Sequence, residues 1–190
     1  PEAARLVMVG TGSLAPFLVG AHGAVRPIAD IAVWGRDPAK AAALVERLSR
    51  EGIAARVATD LEAAVRDADI VSCATLSKAP LVCGAWLKPG AHLDLVGAFR
   101  PDMRESDDAA VRRASLFVDT RAGALEEGGD LADPIARGVV SAADIRADLA
   151  DLVAGRHPGR SAAEEVTLFK SVGTAIEDLA AARLVFSRLG

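Results

Sequence analysis

The chain reads Leu6-Val7-Met8-Val9-Gly10-Thr11-Gly12-Ser13-Leu14-Ala15 near its start, where an apolar run meets a glycine-rich turn and a helix-forming run. The spacing is G-x-G-x-x-A, a variant of the dinucleotide fingerprint that joins a strand to a helix. Gly10 permits the tight turn, Gly12 lets a pyrophosphate approach the backbone, and Ala15 lets the helix pack closely. The N-terminus of the helix offers free N–H groups and a positive dipole end to phosphate. The candidate contacts of this turn are Gly10, Thr11, Gly12, Ser13, Leu14 and Ala15.

The composition limits the classes of protein to which the chain can belong. Its 190 residues fit one domain, and 51% of them are hydrophobic. A formal net charge of −4 gives no general attraction for nucleic acid or an anionic membrane, and no apolar run has the length of a membrane span. Cys73 and Cys83 lie in apolar stretches, which predicts buried free thiols in a reducing cytoplasm and neither a disulfide nor a metal site.

Strand-like and helix-like segments alternate along the chain. Strands are predicted at 5–9, 30–34, 54–58, 69–74, 92–97, 116–119 and 166–169. Helices are predicted at 14–24, 38–50, 61–66, 106–114, 142–149 and 173–189, and loops at 128–130 and 155–159. Asp37, which precedes Pro38, and Asp60 suit helix N-caps. The alternation predicts an α/β fold of the Rossmann type, a doubly wound and mainly parallel sheet with helices on both faces.

The residues after the second strand bear on the choice of dinucleotide. An NAD-selective site usually places Asp or Glu there to bind the ribose 2′-hydroxyl, but the chain reads Trp34-Gly35-Arg36-Asp37. The guanidinium of Arg36 suits a 2′-phosphate and stacks on adenine. We therefore expect Trp34 and Arg36 to contact the cofactor, with NADP(H) preferred and NAD(H) as the alternative. A solvated Arg36 and an Asp37 that only caps a helix are the simpler interpretations.

Two further strand ends are expected to border the cofactor, because ligands of such sheets bind outside the carboxyl ends of the strands. Thr75 offers a hydroxyl for ribose or phosphate oxygens, and Gly97 leaves room for the nicotinamide ring. A simpler role for Thr75 and Ser77, the capping of the next segment, stays open. The candidate contacts of these strand ends are Ala74, Thr75, Leu76, Val96 and Gly97.

Seven segments spread over nearly the whole chain carry a family resemblance. They are VGTG (9–12), VWGR (33–36), ADIV (68–71), LKPGAH (87–92), VGAFRPDMRE (96–105), EGGD (127–130) and FKSVGTAIED (169–178). Together they resemble the ornithine cyclodeaminase/mu-crystallin family, and within it the bacterial reductases of cyclic ketimines. The resemblance implies an NAD(P)H-dependent oxidoreductase that converts Δ1-pyrroline-2-carboxylate to L-proline and Δ1-piperideine-2-carboxylate to L-pipecolate. It also implies that Ser171 lies near the nicotinamide, although the position of Ser171 also suits a cap of the last helix. Lys170 beside it is either a substrate contact or, the simpler interpretation, a solvated residue that flanks the site.

The same resemblance implies a region that this chain does not contain. Members of the family carry an N-terminal region that builds the dimer and most of the substrate pocket, whereas this chain begins at its fingerprint strand. We therefore expect residues 1–190 to form one cofactor domain, in which the strand and helix at 165–190 return toward that region. The catalytic residues and the contacts of a homodimer are expected in the region before Pro1.

Three other functions stay open from the sequence. Ornithine cyclodeaminases of the family carry Gly-Gly-Asp where this chain reads Gly97-Ala98-Phe99, and a phenyl ring can neither accept a proton nor bind an ammonium by charge. A non-catalytic binder of small ligands, as among mu-crystallins, and an amination like that of alanine dehydrogenase are the others. His22, His92 and His157 lack a nucleophile motif and metal-ligand spacing, which favours structural or solvent-exposed roles.

Overall fold

The computed structural model describes residues 2–189. Within them the strands are β1 (Arg5–Val9), β2 (Asp30–Trp34), β3 (Arg56–Val57), β4 (Ile70–Cys73), β5 (His92–Leu95), β6 (Ser115–Val118), β7 (Ile145–Asp148) and β8 (Thr167–Lys170). The α-helices are α1 (Ala15–Val25), α2 (Pro38–Arg50), α3 (Leu61–Asp67), α4 (Asp108–Arg113), α5 (Arg121–Glu126), α6 (Gly129–Ala136), α7 (Leu149–Val153) and α8 (Ala175–Leu189). The predicted domain 1–190 extends one residue beyond the described part at each end.

The strands form one parallel sheet in the order β3-β2-β1-β4-β5-β8-β6-β7. This confirms the predicted α/β fold of the Rossmann type. The last strand in sequence, β8, lies between β5 and β6, so that Lys170 pairs with Leu95 on one side and with Val118 on the other. Because the strands are parallel, the carboxyl ends of β1, β4, β5 and β8 meet at one edge of the sheet.

Side chains of the strands alternate between two apolar cores, one on each face of the sheet. Leu6 and Met8 of β1 pack in one core with residues of α1 and α2. Val7 and Val9 face the other core, because successive side chains of a strand point to opposite faces. Burial on both faces explains the nearly continuous apolar sequences of the central strands. In the described part of the chain, no helix is both long and apolar enough to cross a bilayer.

Acidic side chains start two helices where the sequence predicts them. Asp37 accepts a hydrogen bond from the N–H of Ala39 at 2.9 Å, and Asp60 accepts one from the N–H of Ala63 at 3.1 Å. Each bond satisfies an N–H that the first turn of a helix leaves free. The predicted caps of α2 and α3 are therefore confirmed.

The predicted helix at 142–149 is wrong. Ala142–Asp144 form a short 3-10 turn, and the next four residues form β7. Burial along β7 runs buried, exposed, buried and half-buried, which is the two-residue period of a strand. β7 pairs with β6, a partner about thirty positions earlier in the chain, and this long-range pairing outweighs local helix propensity.

The predicted loop at 128–130 is also wrong, because α6 begins at Gly129. A Cβ on Gly129 would lie 2.1 Å from the carbonyl oxygen of Met103. The glycine therefore serves the close approach of a helix to a neighbouring segment, and not a turn. Neither α5 nor α7 is predicted from the sequence, and β3 is shorter than the predicted strand at 54–58.

Candidate dinucleotide-binding site

The two glycines of the fingerprint have different surroundings. Gly10 has a φ of +119°, and a Cβ on it would lie 2.6 Å from the carbonyl oxygen of Ala74. Its N–H donates to the carbonyl of Trp34 at 2.9 Å, so Gly10 joins the ends of β1, β2 and β4. Gly12 is exposed, and a Cβ there would meet no atom within 4 Å. The fold therefore requires Gly10, whereas the space at Gly12 is open to a ligand.

The start of α1 is suited to bind an anion. The helix begins at Ala15, which follows the exposed residues Gly12, Ser13 and Leu14, and it has no side-chain cap. Within the described residues, the backbone N–H groups of 11–14 donate to no protein acceptor. Free N–H groups and the positive end of the helix dipole together attract phosphate. This geometry agrees with the predicted role of the turn, and the individual contacts of Thr11 and its neighbours with a cofactor stay predictions.

The end of β2 places a cation beside the turn. A Cβ on Gly35 would lie 2.7 Å from Thr11 Cγ2, so the turns after β1 and β2 are packed together. Trp34 is half-buried and Arg36 is exposed. The carboxylate of Asp37 is already engaged as the cap of α2. The guanidinium of Arg36 makes no hydrogen bond or ion pair with the part of the protein that the structure describes. Its contact with a ribose phosphate stays a prediction.

The ends of β4 and β5 are linked through their backbones. The N–H of Val96 donates to Cys73 O at 2.9 Å, and the N–H of Ala98 donates to Thr75 O at 3.2 Å. Leu76 is exposed beyond Ala74 and Thr75. These two loops lie at the edge of the sheet where β1 delivers the glycine turn, which is the arrangement that the sequence predicts.

Gly97 is required for a reason that the sequence does not reveal. A Cβ on Gly97 would lie 2.2 Å from Thr75 O and 2.4 Å from Glu105 Oε1. The missing side chain therefore makes room for protein atoms, and the contact of Gly97 with the nicotinamide ring stays a prediction. Thr75 is likewise engaged, since its hydroxyl donates to Glu105 Oε1 at 2.8 Å and accepts a longer bond from the N–H of Ser77 at 3.3 Å.

Three buried ionisable residues lie beneath these loops, and only Lys170 among them is considered in the sequence analysis. The complete burial of Lys170 shows that its interpretation as a solvated flank is wrong. Glu105, Asp130 and Lys170 are each inaccessible to solvent. Burial, together with the negative charge of Asp130, raises the pKa of Glu105 to about 7. All three lie in segments that resemble the family, but nothing in the linear sequence indicates that they meet.

Ser171 lies in a loop that Asp119 holds. Asp119 Oδ2 accepts hydrogen bonds from the Ser171 hydroxyl at 3.1 Å and from the N–H groups of Val172 and Gly173 at 2.7 and 2.8 Å. The hydroxyl of Ser171 thus points to the end of β6, whereas α8 begins only at Ala175. Ser171 is half-buried beside the end of β8, and its contact with the cofactor stays a prediction.

The histidines have protein partners away from this edge of the sheet. His22 Nε2 lies 3.2 Å from Asp94 Oδ2. His92, at the amino end of β5, has its Nδ1 2.8 Å from Thr167 Oγ1, and burial lowers its pKa to about 4. His157 Nδ1 accepts a bond from the N–H of Gly159 at 3.0 Å. These contacts agree with structural roles.

The cysteines are free thiols, as predicted. Cys73 is buried, whereas Cys83 is only half-buried, which corrects the prediction for Cys83. Burial raises the pKa of both thiols, so both are protonated at neutral pH and are poor metal ligands. In residues 2–189, no group of three or more His, Cys, Asp or Glu side chains is arranged to hold a metal ion.

Comparison with known proteins identifies the same family that the sequence segments resemble. A model of the Ornithine cyclodeaminase/mu-crystallin family matches residues 1–190. The Delta(1)-pyrroline-2-carboxylate reductase of Paracoccus denitrificans is 47% identical over 182 residues, which cover 94% of this chain and 57% of the relative.

Two solved structures share the fold over nearly all of this chain. The Thermococcus litoralis Delta(1)-pyrroline-2-carboxylate reductase, in complex with NADH and L-proline, is 36% identical with a TM-score of 0.95 and covers 98% of this chain and 58% of its own. An archaeal alanine dehydrogenase dimer with bound NAD is 30% identical with a TM-score of 0.91, over 97% of this chain and 57% of its own. The chain thus spans less than two thirds of the length of these relatives. It belongs to the ornithine cyclodeaminase/mu-crystallin family.

Proposed function

We propose that this chain is the cofactor-binding domain of an NAD(P)H-dependent reductase of cyclic imino acids. The proposed substrates are Δ1-pyrroline-2-carboxylate, which gives L-proline, and Δ1-piperideine-2-carboxylate, which gives L-pipecolate. One observation carries the proposal: the exposed turn at Gly12 presents free backbone N–H groups at the start of α1, beside the ends of β4 and β5. The names of the Paracoccus denitrificans and Thermococcus litoralis relatives support the class of substrate.

The reaction needs a hydride, a proton and a well-oriented substrate. When bound, the nicotinamide supplies the hydride to the carbon of the C=N bond, and the nitrogen of that bond takes the proton. The task of this chain is to hold and orient the dinucleotide. Residues 11–14 would hold the pyrophosphate through their N–H groups, and the loops after β4 and β5 would hold the nicotinamide half. We expect the groups that bind the substrate carboxylate and donate the proton to lie outside this chain.

A preference for NADPH is part of the proposal. Arg36 is exposed, so its guanidinium is able to pair with a ribose 2′-phosphate. The acidic residue that follows Arg36 is Asp37, and one of its carboxylate oxygens accepts from the N–H of Ala39 as the cap of α2. The two solved relatives hold NADH and NAD, so NADH is the alternative coenzyme that a test must distinguish.

We also propose that the protein assembles as a homodimer in the cytoplasm. The helix α8 exposes several large apolar side chains, and a surface of this kind suits a contact with the N-terminal region through which the dimer is expected to form. They are Ile176, Leu179, Leu184, Val185 and Phe186. The archaeal alanine dehydrogenase is described as a dimer, and two free thiols suit a reducing compartment. Light scattering on the full-length protein tests the assembly, and a monomer at micromolar concentration would contradict it.

Ornithine cyclodeamination is less well supported by the loop after β5. Phe99 is exposed in this loop, and residues 97–99 contain no carboxylate. An apolar ring there suits an uncharged wall of the pocket, and it gives no group for proton transfer.

The deciding experiment follows the oxidation of NADPH and NADH by the full-length protein with each cyclic imino acid. We expect turnover with at least one of the two imino acids and none with ornithine. Absence of turnover with both would contradict the proposed reaction. Turnover only with pyruvate and ammonia would indicate an amination, and release of ammonia from ornithine would indicate a cyclodeaminase. Binding of coenzyme without any turnover would favour a non-catalytic binding protein.

A further inference from the structure

Three buried charged residues lie beneath the loops after β4 and β5, and stability alone does not explain their presence. Lys170 Nζ lies 3.6 Å from Asp130 Oδ2, and both residues are wholly buried together with Glu105. A buried ion pair contributes little to stability compared with apolar residues of the same volume. Clusters of this kind are more frequent at functional sites, where they set geometry and charge.

Each charge holds backbone at the edge of the sheet. Lys170 Nζ donates to Gly97 O at 2.5 Å and to Leu95 O at 3.3 Å. Glu105 Oε1 accepts from both the N–H and the hydroxyl of Thr75. Lys170 therefore holds the loop after β5, and Glu105 holds the loop after β4.

Asp130 lies between Lys170 and Glu105 and contacts both residues. Its Oδ1 accepts from the N–H groups of Glu105 and Ser106 at 2.8 and 3.0 Å. A Cβ on Gly128 would lie 3.0 Å from Lys170 Cε, so the glycine before α6 makes room for the lysine stem. Glu105, Asp130 and Lys170 come from three separate segments, and the fold brings the three side chains together.

The backbone of the loop after β5 is strained at Ala98. Ala98 has a φ of +40°, the one positive φ of a non-glycine residue within 2–189, and it is buried. Side chains with a Cβ rarely adopt this conformation, and it persists only where the surroundings impose it. Its neighbour Gly97 is enclosed by Thr75 and Glu105 atoms on the side where a Cβ would project. Strain held by buried charges indicates a surface that is shaped for a ligand before the ligand arrives.

Two oxygen atoms of the cluster also lack hydrogen-bond donors. Within the described residues, Glu105 Oε2 and Asp130 Oδ2 are buried and make no hydrogen bond. Unsatisfied buried acceptors cost stability, so a cluster selected for stability alone would not keep them.

We propose that Lys170 and Glu105 are positioning residues for the nicotinamide half of the bound dinucleotide. They hold Gly97, Ala98 and Thr75 in the arrangement against which the nicotinamide and its ribose are placed. The glycine turn at 10–15 binds the adenosine and pyrophosphate half independently of them. This inference rests on the proposed function, because it assumes that a nicotinamide dinucleotide is the ligand.

The test compares two ligands on the full-length protein, NADH and ADP-ribose, which lacks the nicotinamide. Lys170→Met keeps the length of the side chain and removes the donor to Gly97. Because the loop after β5 is then no longer held in place, we expect the dissociation constant for NADH to rise about tenfold, with that for ADP-ribose unchanged within about twofold. Lys88→Met is the matched control, since Lys88 also donates to a backbone carbonyl, that of Asp67, but at the opposite edge of the sheet.

A second pair of variants covers the case in which Lys170→Met does not fold. Glu105→Gln keeps an oxygen that accepts from Thr75, whereas Glu105→Ala removes it. We expect Glu105→Ala to weaken the binding of NADH selectively and Glu105→Gln to retain most of the affinity. The NADH fluorescence spectrum of each complex reports the environment of the ring, and we expect it to change with Lys170→Met and Glu105→Ala only.

The outcomes separate the possibilities. Selective loss of NADH affinity supports the inference. Equal loss of NADH and ADP-ribose affinity, or no loss in either, would overturn it and leave the cluster as a structural element. A wild-type chain that binds neither ligand would overturn the proposed function, and the inference with it.

Discussion

Glu105 Oε1 accepts two hydrogen bonds from one residue, from the N–H of Thr75 at 2.6 Å and from its hydroxyl at 2.8 Å. Both bonds favour the charged carboxylate, yet burial and the charge of Asp130 outweigh them and raise the pKa of Glu105 from 4.5 to about 7. Lys170, the other charged neighbour, opposes this rise. A carboxyl group with this pKa changes its charge near neutral pH, which has a consequence for stability.

The folded chain binds the Glu105 proton more tightly than the unfolded chain does. The resulting stability is fully present below about pH 4.5 and is lost as the pH rises through about 7. Glu105→Gln does not ionise, so the free energy of unfolding of this variant should gain about 2 to 3 kcal/mol relative to the wild type between about pH 5 and pH 8. Urea unfolding of both proteins across this range measures the difference. Parallel pH curves would show that Glu105 does not titrate there.

The two fingerprint glycines should respond differently to alanine. Gly12→Ala places a methyl group in open space, so we expect an unchanged melting temperature and weaker binding of NADPH and NADH, by about tenfold. Gly10→Ala introduces a contact with Ala74 O and a strained φ, so we expect it to lower stability by several kcal/mol, roughly 2 to 4. Thermal unfolding and titration with coenzyme separate the two effects. A Gly12→Ala chain with wild-type affinity would exclude a pyrophosphate at this turn.

Arg36 should strengthen the binding of NADPH but not that of NADH. Arg36→Ala removes a guanidinium that is proposed to pair with the 2′-phosphate, so we expect the dissociation constant for NADPH to rise about tenfold or more, with that for NADH nearly constant. Added salt should reduce the preference of the wild type for NADPH. Arg50→Ala, at the far end of α2, is the control for the loss of one positive charge. Equal weakening of both coenzymes by Arg36→Ala would contradict the assignment.

Asp119 should stabilise the loop before α8 more than Ser171 does. Asp119 accepts three hydrogen bonds from residues 171–173, two of them from backbone N–H groups, whereas Ser171 supplies only one. We expect Asp119→Ala, which removes the acceptor, to cost about 2 to 3 kcal/mol of unfolding free energy and Ser171→Ala about 1 kcal/mol. Urea unfolding at neutral pH measures both. Similar costs for the two variants would show that the backbone bonds to Asp119 contribute little.

Local patterns in the sequence were sufficient for much of the dinucleotide half of the fold. The glycine turn, the caps Asp37 and Asp60, and the strands β1, β2, β4 and β5 each depend on a few neighbouring residues. Their signals are the backbone freedom of Gly10, a side-chain oxygen before a helix, and apolar runs buried on both faces. The segment 142–149 shows the limit of such signals, because its strand exists only through pairing with β6.

Long-range contacts, in contrast, built the region where we place the nicotinamide. The strand β8 inserts between β5 and β6, and this brings Lys170 to Gly97, 73 positions earlier in the chain. Glu105 reaches Thr75 across 30 positions, and Asp119 reaches Gly173 across 54. The apolar runs of β5, β6 and β8 predict burial but do not specify the order of the strands, since each run would be equally buried beside a different neighbour. Strand order follows from how the whole sheet buries its two faces, and that order alone puts three charges under one strained loop.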